Sequence, residues 1–415
     1  MQTRLAPWAL DTEAGQEADE ILRRCVHCGF CLATCPTYQI LGDERDSPRG
    51  RIYLIKQVLE GEQPTTATQT HLDRCLTCRN CETTCPSGVE YGKLVDIGRL
   101  LVDERVQRPW RQRLGRLALR RTLTASWFGA ALALGRWVRP ALPAVLRDKI
   151  TVARPAGKLP AAAVTASHAR QVLLLTGCVQ PAMMPSIDAA TVRVLGAIGI
   201  GVRASAGAGC CGAINFHLDA QQAALQQMRA NIDAWLPLID NDEVEALVVN
   251  ASGCGAMIVE YAHHLRDDPV YVHKALRLVS KVKDVAEIVA PHAAQLKASM
   301  VALQGQGAFH PPCTLQHWQG LRGLNETLLA DLGFNTRPFT DSHLCCGAAG
   351  TYSITQPELS GQLKQRKLAS LQAVEPDFII SSNMGCIAHL QSGTVLPVRH
   401  WIEVVDQALA DGVNV

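Results

Sequence analysis

The sequence predicts a multidomain chain of mixed α+β and α/β class: a small helical, cysteine-dense domain, then a basic helical linker, then two copies of an α/β domain. Of 16 cysteines in 415 residues, eight lie between residues 25 and 85 and eight lie after residue 177, and each group repeats internally. In the second group strand-like runs alternate with helical runs, which is typical of a mostly parallel sheet. The length is that of two to four domains. We expect domain boundaries that divide the chain into residues 1–100, 101–165, 166–300 and 301–415.

Composition excludes several classes of protein. The formal charge is +2 and 19% of residues are charged, so nothing attracts the whole chain to nucleic acid. The first 20 residues are acidic where a signal peptide needs an apolar run, and no uncharged apolar stretch approaches the roughly 18 residues of a membrane span. We therefore expect a cytoplasmic protein, and in a reducing compartment cysteines are more often metal ligands or redox groups than disulfides.

The first cysteine group contains two copies of one motif. CVHCGFCLATCP and CLTCRNCETTCP both fit C-x2-C-x2-C-x3-CP, the run that holds a [4Fe-4S] cluster in ferredoxins. A zinc site usually pairs two short C-x2-C knuckles across a gap, so it fits less well, as does a disulfide framework. In two-cluster ferredoxins the fourth cysteine of each run ligates the other cluster. The predicted ligands are Cys25, Cys28, Cys31 and Cys85 for the first cluster, and Cys75, Cys78, Cys81 and Cys35 for the second.

A helix is predicted between the two runs. The segment SPRGRIYLIKQVLEG carries Arg49, Arg51 and Lys56. Because a cluster on four thiolates is anionic, these cations would raise its potential or bind an acidic partner. The alternative is a solvated helix face.

The linker carries most of the positive charge. Residues 101–150 hold ten arginines and Lys149 against three acidic residues, a net charge of +8, and they include three tryptophans. A basic amphipathic stretch of this kind suits peripheral contact with an anionic membrane surface. The alternative is a helical connector that packs on its neighbours and leaves its arginines solvated.

The second cysteine group is a duplication. Cys178, Cys210, Cys211 and Cys254 recur at Cys313, Cys345, Cys346 and Cys386. A glycine follows each adjacent pair and permits the turn that would bring both thiols to one centre. Each copy therefore offers four thiolates to a possible additional metal. A reduced pair without metal, a vicinal disulfide and a duplication in which one copy lost its metal remain open.

The same half supplies the α/β pattern. In the first copy QVLLLTGC and EVEALVVN are strand-like, and PSIDAATVRVLGAIGI and GAMIVEYAHHL are helical. In the second copy DFIISS is strand-like, and GLNETLLADLGF and QPELSGQLKQRKLASLQ are helical. Cys178, Cys254 and Cys386 follow strand-like runs, where parallel sheets build their sites.

These motifs carry a family resemblance over nearly the whole chain. Five segments resemble the iron-sulfur subunits of bacterial glycolate oxidase (glycolate dehydrogenase). They are RCVHCGFCLATCPTY, DRCLTCRNCETTCPSGVEYG, AGCCGAINFHL, HPPCTLQHW and CCGAAGTYS. More distantly the chain is similar to a subunit of anaerobic glycerol-3-phosphate dehydrogenase and to the CCG domains of heterodisulfide reductase. The resemblance names the duplicated α/β domains as CCG domains and the N-terminal domain as ferredoxin-like.

The resemblance also implies a function. Electrons would leave an FAD on a partner subunit that oxidises glycolate to glyoxylate, enter two [4Fe-4S] clusters here, and pass to a quinone or similar acceptor. The chain has no G-x-G-x-x-G fingerprint of its own, so no catalytic residue is expected on it. It would lie in the cytoplasm or on the inner face of the membrane, in contact through residues 101–150.

Other functions stay open. The chain would equally serve a related 2-hydroxy-acid or glycerol-3-phosphate dehydrogenase, a thiol or disulfide redox enzyme that uses the CCG cysteines, or a scaffold with structural metal. Heterodisulfide reductase modules carry a fifth cysteine in a C-x2-C, and here Ala251, Met257, Asn383 and His389 stand at those positions. Disulfide-reducing chemistry is therefore disfavoured, although one or two further iron-sulfur clusters remain possible.

Overall fold

The computed structural model describes residues 1–139, 154, 156, 168–205, 207–302 and 304–413. Of the predicted linker, residues 140–153, 155 and 157–165 lie outside the described residues. No helix within the described ranges combines the length and the apolar character needed to cross a bilayer.

Two compact units make up the structure. The first joins Met1–Leu117 with His343–Lys367, and the second joins Ala118–Ser342 with Leu368–Val415. The second Cys-Cys-Gly turn, at residues 345–347, therefore packs within the unit that holds both cysteine runs. The four domain boundaries expected from sequence stay predictions.

Helices alone make up the N-terminal part. Thr12 and Ser47 cap the second and fifth helices by accepting hydrogen bonds from Gly15 N and Gly50 N, at 3.1 and 3.0 Å. In chain order the helices are α1 (Pro7–Leu10), α2 (Glu13–Arg24), α3 (Phe30–Thr34), α4 (Pro36–Leu41), α5 (Pro48–Leu59), α6 (Thr66–Asp73), α7 (Asn80–Thr84), α8 (Tyr91–Arg105), α9 (Trp110–Leu123) and α10 (Phe128–Val138).

A single apolar core joins α1, α2, α5, α6 and α8. Ile21, Leu22, Ile55, Leu72 and Leu94 are almost completely buried in it. Helix α8 lies so close to α5 that a Cβ at Gly98 would sit 2.6 Å from a side-chain carbon of Ile55, so only glycine fits there. The close packing fixes the loops between the helices, and these loops carry the cysteines.

The first duplicated copy contains a four-stranded sheet. Its strands are all parallel, in the order β2-β1-β3-β4. The elements are β1 (Arg170–Leu174), α11 (Gln180–Met183), α12 (Pro185–Ala197), β2 (Ile200–Arg203), α13 (Ala213–His217), α14 (Gln221–Asp240), β3 (Leu247–Val249), α15 (Ser252–Ile258), α16 (Tyr261–His264), α17 (Val272–Val279), β4 (Val282–Asp284), α18 (Val285–Val289) and α19 (Ala293–Ala298).

The second copy contains a smaller sheet, also parallel, in the order β5-β6-β7. Its elements are β5 (Gly307–His310), a π-helical turn (Thr314–Trp318), α20 (Leu324–Asp331), α21 (Tyr352–Thr355), α22 (Pro357–Gln372), β6 (Phe378–Ser381), α23 (Met384–Gln391), β7 (Val398–His400) and α24 (Trp401–Val413).

Most predicted elements are present, with one correction and several additions. The single helix predicted over GAMIVEYAHHL is wrong, because the chain forms α15 and α16 with a break between them. The break leaves Tyr261 fully buried at the start of α16. Strands β2, β4, β5 and β7 were not predicted from the sequence.

Candidate iron-sulfur and cysteine sites

The two cysteine runs have the same local backbone. Each loop turns through two left-handed residues, at His27 (φ 56°) and Gly29 (φ 86°) in the first run and at Thr77 (φ 50°) and Arg79 (φ 57°) in the second. Left-handed conformations are costly for residues with a side chain, so the backbone is strained at His27, Thr77 and Arg79. The turns reverse the chain so that three cysteines per run face one side, and a short helix (α3 or α7) follows each loop.

The fourth cysteine of each run lies near the other run. Helices α3 and α7 pack against each other, and Asn80 Nδ2 donates to Thr34 O at 3.1 Å. Burial raises the pKa of Cys25, and the neighbouring charges of Cys85 and Cys28 raise it further. Burial likewise raises the pKa of Cys81, with Cys35 among the charges that add to it. The arrangement is compatible with exchanged fourth ligands.

The donor set fits iron-sulfur clusters. A cavity at the first run is lined by Cys25, Cys28, Cys31 and Cys85, together with Cys81 of the second run. Burial raises the pKa of Cys31 to about 11, so several thiolates can coexist there only beside a metal centre that offsets their charge. Sulfur is the ligand that iron-sulfur clusters use.

The two loops differ in exposure although their backbones match. Cys28 is exposed, and Val26 and Phe30 beside it are 67% and 61% exposed. At the corresponding positions of the second run, Cys78 and its neighbours Leu76 and Asn80 are all buried. The first site therefore opens to solvent, whereas the second lies inside the unit.

The cations of α5 have three different environments. Arg51 is 1% exposed, so the interpretation of a solvated helix face is wrong for it. Arg49 pairs with Glu44 at 2.7 Å, and Lys56 pairs with Glu60 at 2.5 Å. Only Arg51 carries its charge into the interior.

In the first copy four thiols meet. Cys178 Sγ lies 3.2 Å from Cys210 Sγ, and Cys211 makes side-chain hydrogen bonds to Cys210 and Cys254. The hydrogen bonds from Cys178 and Cys211 and those from the N–H groups of Gly212 and Ile214 lower the pKa of Cys210, while the pKa values of Cys178 and Cys211 rise. The quartet thus forms a compact sulfur donor set.

Two side chains hold the adjacent cysteines of this copy in place. Asn231 Nδ2 donates to Cys210 O at 2.9 Å, and the buried Tyr261 hydroxyl donates to Cys211 O at 2.8 Å. Asn231 Nδ2 also donates to the Tyr261 hydroxyl oxygen at 3.1 Å. Neither residue was singled out from sequence, because their distance from the cysteines along the chain follows no motif.

The second copy differs in its surroundings. Cys345 and Cys346 are buried within the first compact unit, where Ser360 Oγ donates to Gly347 O at 2.8 Å. In the second unit Asn383 Nδ2 donates to Cys386 Sγ at 3.4 Å. A ring nitrogen of His310 lies within 4.8 Å of Cys386 Sγ. The residue at the position of His310 in the first copy is Leu175, so the two copies present different donors.

None of the 16 cysteines, all of them within the described ranges, forms a disulfide. The alternative of a vicinal disulfide is therefore not what the structure contains. Two of the positions where heterodisulfide reductase modules could carry a fifth cysteine are occupied here by Ala251 and Met257. Both side chains are buried in the core.

Helices α9 and α10 contribute no buried residue. Together with Trp127, the residue before α10, they expose three tryptophans and two leucines at 54–80%, namely Trp110, Leu114, Trp127, Leu134 and Trp137. Arg116 pairs with Asp73 at 3.4 Å, but Arg111, Arg113 and Arg121 are exposed. The segment therefore presents both basic and apolar side chains to solvent.

Comparisons with known proteins agree with these domains. The family described as "4Fe-4S dicluster domain" matches residues 21–89, and the family described as "Cysteine-rich domain" (CCG) matches residues 172–259 and 307–391. The chain is 49% identical over 418 residues to the "Glycolate oxidase iron-sulfur subunit" of Escherichia coli, which covers 99% of both chains. It is 29% identical to the "Probable glycolate oxidase iron-sulfur subunit" of Bacillus subtilis, over 90% of this chain and 89% of that one.

Two further likenesses are more distant. The "Lactate utilization protein A" of Geobacillus thermodenitrificans is 26% identical over 57% of this chain and 98% of its own length. Among solved structures, a hypothetical protein from Helicobacter pylori matches with a TM-score of 0.55 at 11% identity, covering 96% of this chain and 73% of that one. The structural likeness concerns the fold alone.

Proposed function

The chain belongs to the family of glycolate oxidase iron-sulfur subunits, and from this we propose that it is the electron-transfer subunit of a glycolate-oxidising flavoenzyme. Oxidation of glycolate to glyoxylate releases two electrons and two protons, and we place that chemistry on an FAD-containing partner subunit. This chain would accept the electrons one at a time and deliver both to a quinone, which takes up two protons to become a quinol. The proposal is carried by the match of residues 21–89 to the dicluster family and by the cavity that Cys25, Cys28, Cys31, Cys81 and Cys85 line.

The proposed ligands are those that the sequence predicts. Cys25, Cys28, Cys31 and Cys85 would hold one [4Fe-4S] cluster, and Cys75, Cys78, Cys81 and Cys35 the other. Bound clusters supply one-electron transfer, which is how a two-electron flavin is coupled to a separate acceptor. The packing of α3 on α7 supports the exchange of fourth ligands because it brings each run beside the other.

We extend the proposal to the first CCG copy. The quartet of Cys178, Cys210, Cys211 and Cys254 would hold a further iron-sulfur cluster, supported by the 3.2 Å approach of two of its sulfurs. The corresponding cysteines of the second copy, Cys313, Cys345, Cys346 and Cys386, stay candidate ligands from the sequence repeat alone.

We also place the quinone-side contact at α9 and α10. Exposed tryptophans and leucines among exposed arginines match the interface of an anionic bilayer, where a quinone acceptor is found. Neither helix has a buried residue, which favours this contact over a connector packed along its whole length, although Arg136 of α10 donates to Met183 O of α11 at 2.9 Å.

Iron and sulfide analysis with EPR on the anaerobically purified complex tests the relay. About 8 irons per chain indicate two cubane clusters, and about 12 to 16 bring the CCG sites in. Zinc without iron would refute the relay. The substrate is tested on the assembly that co-purifies with this chain: we expect dye reduction with glycolate and little with lactate or glycerol 3-phosphate.

A further inference from the structure

The first unit buries the guanidinium group of Arg51. Its Nε donates to His71 O at 2.7 Å, and both terminal nitrogens donate to Thr37 Oγ1 at 3.2 Å. Its nearest carboxylate oxygen, on Asp46, is 3.4 Å away. The carbonyl and hydroxyl partners satisfy the hydrogen bonds of the Arg51 guanidinium group, but they are neutral. Its positive charge is therefore offset only by the longer ion pair with Asp46.

One carboxylate serves two guanidinium groups at this place. Asp46 is fully buried and also pairs with Arg74 at 2.9 Å, while His71 Nδ1 lies 3.1 Å from it. A buried charge persists only where an opposite charge or strong hydrogen bonds compensate it. Asp46 is shared between the buried Arg51 and the partly exposed Arg74, whose side chain is 31% exposed, so it offsets the buried charge of Arg51 only in part.

The compensating anion is the second cysteine site. Thr37 Oγ1, which accepts from Arg51, lies 3.3 Å from Cys35 Sγ, and the hydroxyl of Tyr91 donates to Cys75 Sγ at 3.5 Å. Arg99, which is half-buried, adds another cation by donating to Cys75 O at 2.6 Å. Cys35 and Cys75 come from different runs but belong to the same proposed ligand set.

We propose that Arg51 is a positioning residue that raises the reduction potential of the cluster on Cys75, Cys78, Cys81 and Cys35. The inference rests on the proposed function. A cluster with four thiolate ligands is anionic and gains one negative charge on reduction. A buried cation nearby therefore stabilises the reduced form more than the oxidised form. The hydroxyl of Tyr91 acts in the same direction by donating to the ligand sulfur of Cys75, whereas the Thr37 hydroxyl donates to Asp46 O at 2.9 Å.

Arg49 provides a matched control on the same helix. It precedes Arg51 by two residues, but its side chain is 31% exposed and its Nε pairs with Glu44. Its NH1 contacts His27 O at 3.4 Å, beside the first cysteine site. Its charge is neutralised by a surface carboxylate, and it does not face the second set.

The test is a redox titration followed by EPR on the anaerobically purified complex. The signal of the second cluster is identified as the one that Cys78→Ser alters. Arg51→Gln is expected to lower the reduction equilibrium constant of that cluster about tenfold or more, which is about 59 mV for one electron. The other cluster should not change. Arg51→Lys keeps the charge and should retain most of the potential, and Arg49→Gln should leave the second cluster unchanged.

Three results would overturn the proposal: an unchanged potential in Arg51→Gln, a shift in Arg51→Lys as large as in Arg51→Gln, or equal shifts of both clusters. If Arg51→Gln retains no iron, Arg51→Met decides, because it removes the charge and fills the same buried space with an apolar side chain. A lowering of the same potential supports the inference, and no lowering refutes it. Failure of the proposed function is distinguishable, since wild-type protein would then lack two clusters altogether.

Discussion

At the scale of single residues, the adjacent cysteines of the first copy depend on two distant polar side chains. Neighbouring side chains tend to point in different directions, so Cys210 and Cys211 reach one site only on a turn that something must hold. Asn231 on α14 and Tyr261 on α16 each bind a carbonyl of that turn. Both are almost completely buried, so loss of either hydrogen bond leaves a buried polar group without a partner.

We therefore expect Tyr261→Phe to destabilise the chain by about 1 to 3 kcal/mol. The ring still fills its place, so the cost comes from the unsatisfied Cys211 carbonyl and Asn231 amide. Tyr271→Phe is the control, because its hydroxyl binds Asp233 at the surface. Thermal unfolding of the two variants checks the difference, and equal melting temperatures would contradict the role of Tyr261.

Asp284 gives a second prediction at this scale, because it is a helix cap with a perturbed carboxyl group. Its Oδ1 accepts from Ala286 N at 2.9 Å, and it is fully buried at the start of α18. Burial, with the charge of Glu287 adding, raises the pKa of Asp284 to about 7. Between its unfolded pKa near 4 and pH 7 the folded chain keeps a proton that the unfolded chain releases, so this group costs stability as pH rises.

Asp284→Asn keeps the capping oxygen and removes the titration. We expect it to melt like wild type near pH 4.5 and to be more stable at pH 8, by on the order of 1 to 4 kcal/mol. Melting temperatures across that range check the sign. A constant difference at every pH would show that the carboxyl group does not titrate in the folded chain as inferred.

At the scale of elements, α9 and α10 contribute no buried residue and expose tryptophans and arginines. We expect replacement of Arg111, Arg113 and Arg121 by glutamine to weaken binding of the complex to anionic vesicles by about 1 kcal/mol per arginine. The measurement is sedimentation with vesicles of anionic or neutral lipid at low and high salt. Arg277→Gln, on an exposed helix of the second unit, is the control. Binding that is equal in the triple variant and the wild type would remove the membrane contact from these helices.

Sequence patterns predict elements here when chemistry or periodicity lies within a short window. The C-x2-C-x2-C-x3-CP runs and the buried strand FIIS are of this kind. Strand β5 was missed because Gly307–His310 begins with a glycine and ends in a buried histidine, which leaves only two apolar side chains in succession. Arg51 is similarly indistinguishable from Arg49 by sequence, since burial depends on which side of α5 faces the core. Contacts that join distant segments leave no local signal.

At the scale of the whole molecule, packing groups residues that the duplication separates. His343–Lys367 belongs to the unit of the cysteine runs, and within that unit the buried Tyr352 donates to Arg74 O at 2.9 Å. Arg74 in turn pairs with Asp46, next to Arg51. The polar network around the second cysteine site therefore includes a segment almost 300 residues away in the chain.

Exchanged ligation is the property of the whole chain that can be tested most sharply. Four single variants replace cysteine by serine at Cys28, Cys35, Cys78 and Cys85, and each is followed by EPR of the purified complex. If the fourth ligands are exchanged, Cys85→Ser alters the same cluster signal as Cys28→Ser, and Cys35→Ser alters the same signal as Cys78→Ser. If each run holds its own cluster, the pairs are Cys35 with Cys28 and Cys85 with Cys78. With exchanged ligands, each cluster would also cross-link two loops that lie about 50 residues apart in the chain. Loss of iron should therefore make both loops lose their ordered structure together.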